Sequence, residues 1–180
     1  EPSTDNFSGT FSRVDNGKPR EYTEYVLSGD MEKNFENSDV DKEYNSYYEG
    51  EHYQFTSEEN PVDLSENTDA IDASLVDLPF PHNGSYLEYD EDAQVYNYFE
   101  YGEAHLDPGN DNAQMNFKNL LIQSCGFTQY DEHGYMIFDC ISKGGGYYVT
   151  NGKAIPVTWE KTSMTSPTRY YDAAGNEITL

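Results

Sequence analysis

The stretch Tyr147-Tyr148-Val149-Thr150-Asn151-Gly152-Lys153-Ala154-Ile155-Pro156-Val157-Thr158-Trp159 decides the fold class of this chain. Asn-Gly between two runs of aromatic and β-branched residues is the strongest short-range hairpin signal. A type I′ turn needs positive φ at both central positions, which Asn and Gly tolerate. It predicts a hairpin joining Tyr147–Thr150 to Ala154–Trp159. Beyond it, Ala174-Gly175 predicts a second hairpin between Arg169–Asp172 and Glu177–Leu180. Just before it, Gly144-Gly145-Gly146 predicts a bend or bulge where backbones approach closely.

Farther upstream the two-residue period persists. Ser85–Tyr89 and Val95–Phe99 bracket the polar connection Asp90-Glu91-Asp92-Ala93. Met115–Gln123 is the most apolar segment and is expected to be a central strand. Ile71, Ala73 and Leu75 alternate with polar residues, the pattern of a strand packed on one face. His52–Thr56 reads as a short strand closed by Asn60-Pro61, and Glu21–Leu27 as a short strand or extended segment. A helix is expected near Ser28–Phe35, capped by Ser28 or Asp30, with Met31 and Phe35 on one face. Successive short strands joined by tight turns form antiparallel meanders. The fold class is therefore mainly β, α+β at most. It comprises a polar segment at 1–20 and a single β-rich domain over 21–180.

Composition narrows the partners. The 180 residues carry 34 Asp+Glu against 10 Lys+Arg, a formal net charge of −24. Such a field repels nucleic acid and anionic membrane surfaces. Seventeen tyrosines, within 15% aromatic residues, argue for a packed globule rather than a disordered acidic chain. No run of about 18 apolar residues offers a membrane-spanning helix.

Cys125 and Cys140 flank a turn expected at Asp131-Glu132-His133-Gly134, between strands placed at Asn119–Cys125 and Tyr135–Ile141. A register symmetric about that turn sets the two cysteines opposite each other, as a cross-strand disulfide requires. The competing reading is two small hydrophobes that happen to face one another.

Few other motifs carry chemistry. His105-Leu106-Asp107 places an imidazole and a carboxylate on one side of an extended segment, a pair able to bind a metal or move a proton. Against this, Asp107 is well placed to bond turn amides before Pro108-Gly109, and His105 to bond a neighbouring strand. His52, His82 and His133 lack ligand-like spacing. Asn119, inside an apolar run, either reads a ligand or completes hydrogen bonds at a strand irregularity. Tyr147, Tyr148, Trp159, Tyr170 and Tyr171 offer rings for stacking on sugars, or simply core packing. Arg169 either pairs with a strand carboxylate or grips a ligand carboxylate bidentately. Asp39/Asp41, Asp90/Asp92 and Asp107/Asp111 invite a calcium reading, but none follows the twelve-residue loop pattern. No nucleophile elbow, phosphate-cradling glycine loop or His-Glu-x-x-His is present.

Three blocks resemble the C-terminal region of the YerB-like family of bacterial lipoproteins, a domain of unknown function. The first runs from Tyr89-Asp90 through Tyr96 to Gly102-Glu103-Ala104-His105-Leu106-Asp107. The second is Gln114–Gln123. The third spans Gly146–Lys153, Thr158-Trp159-Glu160-Lys161 and Thr168-Arg169-Tyr170-Tyr171-Asp172 to Gly175. The resemblance covers residues 86–180 well and 10–80 loosely. It departs at Tyr98, where the family pattern has an arginine, so no anion-binding role passes to that position. It implies an extracytoplasmic protein that is secreted or held by a lipid anchor outside this chain. It also implies a separate N-terminal domain outside the sequence, acting as a partner, and a further tryptophan-containing tail. The expected function is a non-enzymatic binding or protein-interaction module for a cell-envelope protein or glycan, with no cofactor. Two alternatives stand beside it: an envelope glycan or peptide hydrolase using His105 and Asp107, and a calcium-stabilised surface domain.

Overall fold

The structure is a computed structural model that describes residues 12–39, 42–44 and 46–180. Most of the polar N-terminal segment, residues 1–11, and Asp41 of one acidic pair lie outside the described residues. Contacts divide the chain into two units, Glu1–Tyr48 and Glu49–Leu180.

In the first unit, β1 (Ser12–Arg13) pairs antiparallel with β2 (Glu24–Tyr25). The Arg13 guanidinium spans this ribbon, donating to Glu24 Oε2 at 3.0 Å and to the Arg20 carbonyl at 2.7 Å. The expected helix is present as α1 (Asp30–Glu36), but its cap differs from expectation. Gly29, at φ 82°, holds the N-cap position with no side-chain cap bond. Asp30 Oδ2 instead accepts from the Leu27 amide and the Ser12 hydroxyl. The sharp entry needs a left-handed residue, and glycine supplies it more cheaply than Ser28.

The second unit holds β3 (Ile71–Asp72), β4 (Leu75–Asp77), β5 (Tyr86–Asp90), β6 (Val95–Glu100), β7 (Glu103–Ala104), β8 (Leu106–Asp107) and β9 (Ala113–Gln114). It continues with β10 (Asn116–Phe117), β11 (Asn119–Gln123), β12 (Phe127–Gln129), β13 (Met136–Phe138), β14 (Lys143–Thr150), β15 (Lys153–Glu160) and β16 (Arg169–Tyr171). One five-stranded sheet runs β10-β6-β5-β4, with β7 added to β6. The other runs β11-β14-β15-β16, with β3 added to β15. Two small ribbons, β8–β9 and β12–β13, complete the set, and each pairing between these strands is antiparallel.

The second sheet is apolar on both faces, because successive strand residues alternate sides. On one side Tyr148, Ile155, Val157, Trp159 and Tyr170 pack with Leu64. On the other, Val149 and Ala154 pack with Ala73, Val76, Leu87 and Tyr96 of the segment and sheet opposite. The Asn-Gly hairpin forms as expected, with Asn151 at φ 48° and Gly152 at φ 71°. Its ladder runs without interruption from Thr150↔Lys153 to Lys143↔Glu160.

The glycine triplet makes the expected close approach without the expected bulge. A Cβ on Gly144 would lie 2.7 Å from the Ser124 carbonyl oxygen and 2.8 Å from Trp159 Nε1, and one on Gly146 would overlap the Ile122 carbonyl. These two glycines let β11 and the Trp159 indole press against β14.

Five strand expectations are corrected. Met115–Gln123 is not one central strand: Lys118 divides it into β10, an edge of the first sheet, and β11, an edge of the second. Ile71 and Leu75 are more than half exposed while Ala73 and Val76 are buried, because β3 and β4 belong to different sheets. The strand following the Asp131–Gly134 turn pairs with Phe127–Gln129, not with residues 119–123, which are taken by β14. His52–Thr56 and Glu177–Leu180 contribute only isolated bridges, Gln54↔Thr179 and Tyr171↔Glu177.

Candidate functional site

Where the chain passes from the first sheet to the second, it leaves a cavity of about 390 Å³. Phe55, Lys118, Asn119, Thr150, Asn151 and Leu180 are among the residues that line it. Each is fixed by its element. Lys118 is the single residue between β10 and β11, and its carbonyl accepts from Thr150 Oγ1 at 3.3 Å. Asn151, in the hairpin turn, donates through Nδ2 to the Val62 carbonyl at 2.8 Å. That bond holds the 55–62 segment over the turn. The Thr56 amide donates to the Leu180 carbonyl at 2.8 Å, closing the far wall.

Asn119 completes the floor. Its Oδ1 accepts from the Tyr148 hydroxyl at 2.9 Å, across the β11–β14 ladder. Burial pushes the Tyr148 phenol up to about 12, with the Thr150 side chain opposing, so it stays a neutral donor. With Oδ1 engaged, the Asn119 amide offers Nδ2 to a ligand. Lys118 makes no ion pair among the described residues, although carboxylates outnumber cations more than three to one. Glu58 shares the lining, and Phe55, 70% exposed, contributes an apolar flank. One ammonium, amide and hydroxyl donors and an aromatic edge suit a small polar ligand carrying a carboxylate or hydroxyls.

His105 and Asp107 take different partners. His105 Nδ1 lies 3.5 Å from Glu100 Oε2, while Glu100 Oε1 accepts from the Tyr98 hydroxyl at 2.6 Å and from Asn83 Nδ2 at 3.3 Å. The bond to Glu100 is the main cause that raises the Tyr98 phenol above its ordinary range, ahead of burial. Asp107 Oδ1 accepts instead from the Gly109 amide at 2.9 Å, a local turn bond. Ser85 lies beside this cluster, fully buried with its hydroxyl in no hydrogen bond of ordinary geometry, and is closed to solvent as a nucleophile.

The remaining sequence candidates separate cleanly. Trp159 is 1% exposed and donates Nε1 to the Ser124 carbonyl at 2.8 Å, so it is a core residue and presents no stacking face. Tyr147, on the opposite face, is 45% exposed. Arg169 pairs with Glu177 Oε1 at 2.9 Å. Asp90 Oδ1 accepts from the Asp92 and Ala93 amides, serving the β5–β6 turn. Among the described residues no three His, Cys, Asp or Glu side chains gather as metal ligands. No helix there is long and apolar enough to cross a membrane.

Sequence reasoning singled out Asn119 but missed Lys118, Thr150 and Asn151 as its neighbours. The available signal was a lone lysine between the apolar pair Met115/Phe117 and the run Leu120–Ile122, in a chain poor in cations.

The family described as "Protein of unknown function (DUF3048) C-terminal domain" matches residues 76–180. No curated protein matches the chain in sequence. Among solved structures, the chain is similar to the YerB protein from Bacillus subtilis, with a TM-score of 0.65 at 18% identity. The match covers 98% of this chain and 55% of that one, so the chain spans about half the length of its solved relative.

Proposed function

Because the chain belongs to the family of the DUF3048 C-terminal domain, whose function is unknown, we propose that it is a non-enzymatic binding module of an extracytoplasmic lipoprotein. Its ligand occupies the cavity at Lys118 and Asn119. The observation that carries this reading is Lys118 itself. It is an ammonium without an ion pair among the described residues, set on a cavity wall in a chain of net charge −24. A desolvated carboxylate placed there gains a charge-assisted bond from Nζ, with Asn119 Nδ2 beside it. The ligand class is a carboxylate-bearing peptide or glycan of the cell envelope. The reading includes a lipid anchor and an N-terminal partner domain outside these residues. The greater length of the solved relative supports the additional domain.

The test is calorimetric titration with soluble peptidoglycan fragments that retain their peptide carboxylates. Lys118→Gln should weaken binding by about tenfold or more, the worth of a hydrogen bond to a charged group. Its melting temperature should stay unchanged, because the side chain is exposed. Equal affinity of the variant and the parent, or no binding by either, would remove this site from consideration.

A further inference from the structure

We infer that Cys125 and Cys140 form an intramolecular disulfide that clamps the base of the β12–β13 ribbon. The geometry starts from register. Phe127↔Phe138, Thr128↔Ile137 and Gln129↔Met136 fix the pairing, and continuing it two residues outward sets Cys125 opposite Cys140. The ladder does continue: the Asp139 amide donates to the Gly126 carbonyl at 2.8 Å. That bond makes Gly126/Asp139 a hydrogen-bonded pair. The next pair outward, Cys125/Cys140, is then of the non-hydrogen-bonded kind, in which Cα atoms stand closest and side chains face each other. Such spacing lies inside the range a disulfide spans without backbone movement. At Asp139 the return strand turns, and the Cys140 amide donates to the Phe138 carbonyl at 3.0 Å. The two thiols already feel one another: Cys125 is pushed up first by burial and then by the Cys140 thiol.

The position of the pair gives the bond a purpose. Cys125 packs against the Tyr148–Trp159 cluster, and its neighbour Ser124 is held by the Trp159 indole. The ribbon beyond it is a separate two-stranded sheet whose six strand residues are all exposed. Isolated two-stranded ribbons are marginal in water. A covalent tie from the return strand to a residue seated on the core removes most of the freedom of residues 126–139. Cys140 is exposed, so an oxidant reaches it.

The step balances with a disulfide oxidant, either glutathione disulfide or the disulfide form of an oxidoreductase of an oxidising compartment. The Cys140 thiolate attacks the oxidant's disulfide, releasing one thiol and leaving a mixed disulfide. The Cys125 thiolate then attacks the Cys140 sulfur and releases the second thiol. The protein loses two protons and two electrons, and the oxidant gains them.

Incubation with glutathione disulfide, followed by alkylation and mass spectrometry, tests the assignment. The expected result is a mass lower by two hydrogens, no alkylation, and a Cys125–Cys140 cross-linked peptide after digestion. Two alkylated thiols, a persistent glutathione adduct or a disulfide-linked dimer would each overturn it. Limited proteolysis supplies the second readout: reduction should speed cleavage between Phe127 and Phe138 by about tenfold or more. The double variant Cys125→Ser/Cys140→Ser should match the reduced protein under both redox conditions. Equal cleavage of the oxidised and reduced wild type would show that the bond clamps nothing. These readouts do not involve the cavity at Lys118 and stand whether or not it binds a ligand.

Discussion

Two hairpins of this molecule differ in what surrounds them rather than in how they pair. The β14–β15 hairpin runs eight pairs, turns through Asn151-Gly152, and has apolar residues packed against both of its faces. The β12–β13 ribbon has three pairs, turns through Asp131–Gly134, and exposes Phe127, Ile137 and Phe138 by more than half. Both contain aromatic and β-branched residues. Strand propensity therefore forms the ladders, but burial decides which ladder holds the fold. The long hairpin is the keel of the second unit, and the short one is an appendage.

The strongest way to break this contrast is alkaline titration. Tyr148 and Tyr170, in and beside the long hairpin, and Tyr96, packed on its other face, are all pushed up to about 12 by burial. The Gly152 amide faces the Tyr96 hydroxyl without completing a hydrogen bond of ordinary geometry. Since the unfolded phenols titrate near 10, their stabilising contribution is intact below pH 10 and is lost as pH rises toward 12. On the order of 2 kcal/mol per tyrosine is involved, so denaturant unfolding followed across that window should show cooperative collapse. A flat profile would mean these phenols are not buried in solution.

Trp159→Ala should cost about 4 kcal/mol, read from the urea midpoint, by opening a cavity and orphaning the Ser124 carbonyl. Gly146→Ala should follow at about 3 kcal/mol, because the new Cβ meets backbone that cannot yield. Its neighbour Gly145 is the control: a Cβ there meets only the Val157 oxygen at 3.9 Å, and Gly145→Ala should change stability by less than about 0.5 kcal/mol. Comparable losses at both glycines would contradict the register. The smallest effect belongs to the appendage. Phe138→Ser should shift the midpoint by less than about 0.5 kcal/mol, and a large loss would show that the ribbon is clothed after all.

Much of this was legible in the residues, for reasons that differ from place to place. The Asn151-Gly152 hairpin was readable because turn chemistry is local. The register of the ribbon about Asp131–Gly134 was readable for the same reason, although Asn119–Gln123 pairs with β14 instead. What escaped was non-local. Met115–Phe117 alternates and Leu120-Leu121-Ile122 is a continuous apolar run, but neither pattern says which partner strand each half takes, because pairing is non-local. Nor does Ile71-Asp72-Ala73-Ser74-Leu75 reveal that its two ends pair with Lys153-Ala154 and with the Glu88 region. At the candidate site the same limit applied: Asn119 drew notice as a polar interruption, but Thr150 and Asn151 reach it only through the ladder between β11 and β14. The His105–Asp107 pair was visible as spacing, yet Glu100, five residues earlier, takes the imidazole.

The one-residue joint at Lys118 makes the two sheets share a ruler. Because side chains alternate, one residue inserted there would turn Leu120 and Ile122 away from the Val149–Tyr96 cluster and drive Asn119 into it. The position is therefore permissive of any side chain and intolerant of any change in length. A glycine inserted after Lys118 should leave little folded protein, whereas glycine in place of Lys118 should fold normally.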